Sequence, residues 1–195
     1  MRVCERYQLW QEVVYLYSHY DEFDNAVKVM IEHSPVAWDH TQFVSLIQKV
    51  SNTDLYYRGA LFYLEEQPLQ LNDFLKALAT KIDLGKLVSV IKKTGHLAVI
   101  APFMRNAQNQ NNQALNEALN SLYLEAEDHE NLWASITQYE NMDQLSLAQE
   151  TERHQLTEFR RISAYLYRRN QKYAQSIALS KQDKQYRVEW DLKII

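Results

Sequence analysis

Leu84-Gly85-Lys86-Leu87-Val88-Ser89-Val90-Ile91-Lys92-Lys93-Thr94-Gly95 is the stretch whose pattern decides the fold. Leu84, Leu87, Val88 and Ile91 fall at i, i+3, i+4 and i+7, which a helix gathers into one apolar stripe. Lys92 and Lys93 then occupy the last turn, beside the negative end of the helix dipole, and Gly95 is free to turn left-handed and end the helix. The same stripe recurs at Leu71, Phe74, Leu75, Leu78, at Leu115, Ala118, Leu119, Leu122, and at Leu156, Phe159, Ile162, Leu166. A shorter one runs through Leu132, Ile136 and Tyr139. No stretch alternates apolar and polar residues between Gly or Pro flanks, so no strands are expected. Helices of roughly 10 to 16 residues are expected instead.

Working outward, Pro35, Pro68 and Pro102 recur at a nearly constant interval, and each is expected between two helices, where a ring that blocks helix continuation belongs. The interval fits one helix–loop–helix unit. Asn106 to Asn112 is the clearest loop candidate beyond them. A longer-range echo links Tyr15-Leu16-Tyr17 with Tyr165-Leu166-Tyr167, followed by Phe23 with Tyr173, Ala26 with Ser176, Val27 with Ile177 and Val29 with Leu179. Self-similarity in a helical chain is the mark of a repeat architecture. The expected fold is all-α: one α-solenoid of stacked antiparallel helical hairpins over residues 1–195, with about 11–13 short helices and no linker.

Composition narrows the function classes. The 195 residues are 46% apolar, with only 3 Gly and 3 Pro and with 13 Tyr, 4 Trp and 6 Phe, which excludes both an all-β protein and a disordered one. A net charge of −4 argues against a general nucleic-acid binder. The single Cys4 rules out an intramolecular disulfide framework and suits a reducing compartment. Met1 to Glu5 leads straight into an amphipathic pattern, and no run approaches the roughly 20 apolar residues of a membrane span. A soluble cytoplasmic protein is expected.

Enzyme signatures are missing. Three scattered glycines build no phosphate-cradling loop. His19, His33, His40, His96, His129 and His154 show no metal-ligand spacing and read as surface or helix-end groups. Cys4 lacks a nucleophile signature. Glu125, Glu127, Asp128 and Glu130 straddle a helix junction, where acids favour a helix start. No catalytic residue, metal or cofactor is expected. Arg160, Arg161, Arg168, Arg169 and Lys172 form a dense basic face, suited first to solvent, then to an acidic protein partner, and last to RNA. Gly59, inside a helical pattern, suggests the close approach of a neighbouring helix.

Glu158-Phe159-Arg160-Arg161-Ile162 with Ala164-Tyr165-Leu166, within a stretch from Leu145 to Tyr186, resembles the clathrin heavy chain. So, in order, do Trp10-Gln11-Glu12 through Leu16-Tyr17, Tyr20 to Ala26, Leu55-Tyr56-Tyr57-Arg58, Phe62-Tyr63-Leu64-Glu65 and Pro68 to Asp73. Gln108-Asn109 with Asn111-Asn112 completes the series. The resemblance implies the helical repeats of the proximal leg, without the upstream propeller or the downstream trimerisation end. It implies a coat scaffold for lattice assembly in vesicle transport and endocytosis, peripheral on coated pits and vesicles. Its partners would be clathrin light chain and other heavy chains.

Residues 1–150 then correspond to about one large repeat and 151–195 to the start of the next. Lys49, Arg58 and Gln67, with Lys92 and Lys93 behind them, are the candidate partner contacts. The family commonly carries Lys where Gln67 stands, so an acidic partner loses one pairing group here. It commonly carries His where Leu84 and Gln110 stand, which removes two pH-titrating positions. After Tyr186 the resemblance breaks, over Arg187 to Ile195. That divergence keeps a second reading open: an interaction module of the vacuolar sorting or tethering type, or a truncated coat-modulating paralogue.

Overall fold

The computed structural model describes residues 2–183, so the divergent stretch after Tyr186 lies outside the described residues. The helices divide after Gln110 into two compact units. The first unit holds α1 (Arg2–Arg6), α2 (Trp10–His19), α3 (Phe23–Glu32), α4 (His40–Ile47), α5 (Asp54–Glu66), α6 (Leu71–Ala77), α7 (Leu84–Thr94) and α8 (Ala101–Ala107). The second holds α9 (Gln113–Glu125), α10 (His129–Gln138), α11 (Gln144–Glu152), α12 (Thr157–Arg169) and α13 (Tyr173–Gln182). Short 3-10 turns lie at Pro68–Gln70, Leu97–Ile100 and Gln108–Gln110, and no strand occurs among the described residues.

The helices are shorter than their stripes suggest, between 5 and 13 residues. Local side chains end them early. Asp39, Asp83, Asn112, Asp128 and Asp143 each sit at an N-cap and accept the free backbone N–H three residues on, at 2.8 to 3.2 Å. At the other end of α7, Gly95 takes the left-handed conformation at φ +76° and its N–H reaches Lys92 O.

Four other helix ends use the same left-handed turn without glycine. Gln8, Asp21, Glu127 and Gln171 have φ between 55° and 61°. In each case the next residue's N–H bonds back to the third-from-last helical carbonyl: Leu9 to Cys4, Glu22 to Tyr17, Asp128 to Tyr123 and Lys172 to Tyr167. These are Schellman closures. Two of them, at Asp21 and Gln171, are the turns of the echoed hairpins α2–α3 and α12–α13, so the sequence echo corresponds to one hairpin geometry used twice.

Two expectations need correction. Pro102 does not separate helices; it stands in the first turn of α8, where a missing N–H costs nothing because that group has no helical partner. Asn106 to Asn112 is no open loop either. Asn106 belongs to α8, Gln108 is buried within a 3-10 turn, and Asn112 caps α9.

Within each unit, successive helices pack antiparallel and alternate ones lie side by side. In the first, α3 packs on α2 and α4, α5 on α6, and α3, α5 and α7 line up in sequence. In the second, α12 packs on α11, α13 and α10, and α9 on α10. This is the hairpin stacking of an α-solenoid. The first core centres on Phe74, whose ring stacks on Tyr63 at 4.5 Å and meets Phe43 at 5.9 Å, all three fully buried. Gly59 faces this group: a Cβ there would lie 3.0 Å from Phe74 Cζ. The close approach read from the sequence is real.

The second core mixes small polar residues among the apolar ones. Ser163 Oγ donates to Ala148 O at 2.7 Å and Ser176 Oγ to Ala164 O at 2.8 Å. Ser135 Oγ donates to Asn120 Oδ1 at 2.7 Å. Each hydroxyl lets two helices come close while its polar group stays satisfied.

Opposite effects are expected at the left-handed positions. Glu127→Gly and Gln171→Gly should each raise stability by up to about 1 kcal/mol, because only the strain of a side chain at positive φ is relieved. Gly95→Ala, in open space, should lower it by about the same amount. Urea unfolding midpoints measure both signs.

Alkaline sensitivity is a second expectation. Tyr167 is buried and donates to Glu152 at 2.6 Å; burial first, and that carboxylate second, hold its pKa up to about 12. Burial also raises Tyr63, whose hydroxyl bonds His40 Nδ1 at 2.8 Å. The folded state thus holds these protons more tightly than an unfolded chain, where tyrosine titrates near 10. Their contribution is intact below about pH 10 and is lost as pH climbs toward 12. Unfolding free energies at rising pH should fall less steeply for Tyr167→Phe than for the unmodified protein.

Candidate functional site

Two sets of outward-facing cations are available, one in each unit. In the first unit their placement follows from helix direction. Asp24 in the first turn of α3 accepts the N–H groups of Ser51 and Asn52, just ahead of α5, at 2.9 and 3.2 Å. Lys86 in the first turn of α7 pairs with Asp54, the first residue of α5, at 2.7 Å. The N-termini of α3, α5 and α7 therefore share one edge and the three helices run parallel.

That edge holds Lys49, exposed after α4, with its ammonium 5.1 Å from the Phe23 ring centre. Arg58 lies one turn inside α5 and reaches Glu32 at 3.5 Å, with both groups about half exposed. Gln67 is the C-cap of α5, and its N–H bonds Tyr63 O. Lys92 and Lys93 stand exposed in the last turn of α7. Gln67, Lys92 and Lys93 thus lie along the C-terminal edge, while Lys49 lies along the N-terminal one. With about 1.5 Å of rise per residue, the length of α5 sets these edges roughly 18 Å apart.

Sequence reading missed two features of this surface. Lys86, besides its bond to Asp54, lies 4.4 Å over the Tyr57 ring, and the Asp54 hydrogen bond raises its pKa. Leu69 is 94% exposed beside Gln67. The only signal for the first was a 32-residue spacing between Asp54 and Lys86, close to the proline interval.

In the second unit the five basic residues divide. Arg160 is an internal clamp: its guanidinium takes both oxygens of Asp183 at 2.7 to 3.0 Å and donates to His154 O and Gln155 O. Both partners of that ion pair are largely buried, and the Asp183 bond raises the arginine's pKa further. Arg169 donates to Ile136 O at 3.1 Å and pairs with Glu140, closing the end of α10. Arg161, Arg168 and Lys172 remain exposed. Beside them Trp133 of α10 leans on Tyr165 of α12, ring centres 4.8 Å apart.

The histidines all fall at helix ends: His19 closes α2, His33 caps α3, His40 opens α4, His96 follows Gly95, His129 opens α10 and His154 follows α11. His33 stacks on Trp10 at 3.4 Å, and His154 lies over Phe159 at 4.2 Å. Among the acids, Asp128 caps α10 and Glu127 forms the turn before it. Cys4 is half-buried in α1. No helix of the described residues is long and apolar enough to cross a membrane.

Comparison with known proteins agrees with this architecture. A family model described as the region in clathrin and VPS matches residues 1–71 and 75–194. The chain is 51% identical over 187 residues to a clathrin heavy chain of Dictyostelium discoideum. It is 46% identical, over the same length, to a clathrin heavy chain of Drosophila melanogaster and to clathrin heavy chain 2 of Homo sapiens. Each alignment covers 96% of this chain but only 11% of the relative, so the chain spans about a ninth of these proteins' length. With its hairpin stacks, its repeated turn geometry and a family match over nearly every residue, this chain belongs to the clathrin repeat family.

Proposed function

We propose that this chain acts as a structural segment of a clathrin-type coat: a non-catalytic leg scaffold in vesicle-mediated transport and endocytosis. The observation that carries the reading is the near-complete match to clathrin heavy chains, laid over two stacks of hairpins that expose long polar faces. Stacked hairpins supply extended surfaces rather than pockets. Lattice strength would come from many weak leg contacts between heavy chains acting together. The location that follows is cytoplasmic, peripheral on coated pits and coated vesicles.

The echo of Tyr15-Leu16-Tyr17 in Tyr165-Leu166-Tyr167 supports the repeat phasing, with residues 1–150 as about one large repeat and 151–195 as the start of the next. Light-chain docking is the finer part of the proposal. A helix with acidic side chains could lie along the C-terminal edge of α5 and α7, pairing with Lys92 and Lys93 and covering Leu69 beside Gln67. Lys49 and Arg58 would serve a second contact, nearer the opposite edge. A second reading, an interaction module of the vacuolar sorting or tethering type, is favoured by the family description itself, which spans VPS proteins.

Titration with a labelled peptide of the light chain's central helix tests the docking. Binding is expected at about 50 mM salt and should weaken several-fold at about 300 mM. Lys92→Glu with Lys93→Glu should weaken it about tenfold, equivalent to about 1.4 kcal/mol. Absence of measurable affinity at low salt would overturn light-chain docking and leave the lattice role standing.

A further inference from the structure

The echoed hairpins α2–α3 and α12–α13 are built alike but are not covered alike. α12 packs against α10 and α11 ahead of it, and its Leu166 and Tyr167 are buried, as is Phe159. The echoed positions Leu9, Leu16 and Tyr17 are not buried, and among the described residues only the five-residue α1 precedes α2. Tyr165 meets Trp133 of α10 on this side, whereas its echo Tyr15 is 65% exposed.

The other side shows the converse. α3 packs against α4 and α5, and its Val27 is fully buried. The echo of Val27 on α13 is Ile177, 53% exposed, and the echo of Phe23 is Tyr173, 58% exposed. Ala174 and Ala178 are exposed beside them. Each unit thus presents one uncovered apolar face: Val3, Tyr7, Leu9 and Tyr15 around α1 and α2, and Tyr173 and Ile177 on α13. Stacked repeats normally close their terminal faces with polar residues.

The two echoed turns also carry opposite charge. Glu22 is the N-cap of α3 and Lys172, at the echoed position, is the N-cap of α13; neither side chain caps its helix. Asp21 lies exposed beside Glu22, and Arg168 lies exposed in the last turn of α12, close to Lys172. Glu22 accepts from the side-chain amide of Asn25 at 2.7 Å, a neutral partner that leaves its charge in place.

We infer that copies of this chain associate end to end, with α12–α13 of one copy seated against α1–α2 of the next. The arrangement is the side-by-side packing of successive hairpins within each unit, continued across two molecules. It sets the two echoed turns beside each other, so that Arg168 and Lys172 of one copy face Asp21 and Glu22 of the other. Tyr173 and Ile177 are then covered by the apolar side chains of α1 and α2. The contact joins unlike surfaces, so each pair keeps one free end of either kind and can add further copies. It differs from contacts along the faces of coat legs and does not rest on the coat reading.

Sedimentation of the intact protein at concentrations up to about 200 µM tests it, since association follows mass action. The mean mass should climb with concentration and pass that of a dimer. Tyr15→Glu and Ile177→Glu should each be monomeric alone. Mixed in equal amounts they should form a complex that stops at two chains, because each supplies the face the other has lost. Glu22→Lys and Lys172→Glu should each weaken association about tenfold, and the two combined in one chain should restore it. All four side chains are exposed, and matching unfolding midpoints confirm that the variants are folded. A protein that stays monomeric throughout, as when helices of a different protein cover these faces, overturns the inference. So does self-association of either single variant at full strength, which would mean that like faces pair with like.

Discussion

None of these helices is long enough to persist alone. Helices of 5 to 13 residues are marginal in water, because nucleation is costly and few bonds follow it. Each is held by the apolar face it shares with a neighbour one hairpin away, and that requirement governs the rest of the structure. It explains why alternate helices run parallel, why the buried residues form stripes rather than one central cluster, and why polar ties recur across about one hairpin. Asn72 illustrates the last point: its amide donates to Val99 O and accepts from Phe103 N, 27 and 31 residues away. Asn141 and Asn111, Asp143 and Glu117, and Asn170 and Gln144 make equivalent ties in the second unit, over 30, 26 and 26 residues.

Dependence on neighbours also accounts for the turn chemistry. A hairpin must reverse within two or three residues to return its second helix to the first, and the Schellman closure does so with one left-handed residue. Only 3 glycines are present, yet five positions of this kind end helices, four of them filled by Gln, Asp or Glu. Packing evidently outweighs the local strain at those four. Gly95 fills the fifth, while Gly59 serves a different need, standing where Phe74 leaves no room for a side chain.

The all-α hairpin architecture was legible from the stripes, since period and cap chemistry are local properties. Leu84, Leu87, Val88 and Ile91 are all buried, and Gly95 ends the helix as its position implies. Leu156 and Leu122 were misplaced by the same rule. Leu156 precedes α12 as its N-cap and is 39% exposed, and at the end of α9 the buried residue is the adjacent Tyr123. A stripe cannot say where a helix frays. Nor did the basic face reveal its division. Arg160 and Arg161 look alike in sequence, and only the return of α13 brings Asp183 to the first and leaves the second free. Long-range partners of that kind carry no local signature.

The division of charged groups bears directly on function. A cation that closes a helix end or clamps a turn is part of the fold, and reversing it would test stability rather than recognition. Arg160 and Arg169 belong to that class, and Arg58 and Lys86 belong to it in part through Glu32 and Asp54. Lys92, Lys93, Arg161, Arg168 and Lys172 do not, because the described structure spends none of them on an internal ion pair. A scaffold built from neighbour-to-neighbour contacts can change these residues without altering its stack, since exposed charges contribute little to stability. Selection on a partner can therefore act on them freely. For a repeat protein this is where specificity has to reside: in the few side chains the stack does not need.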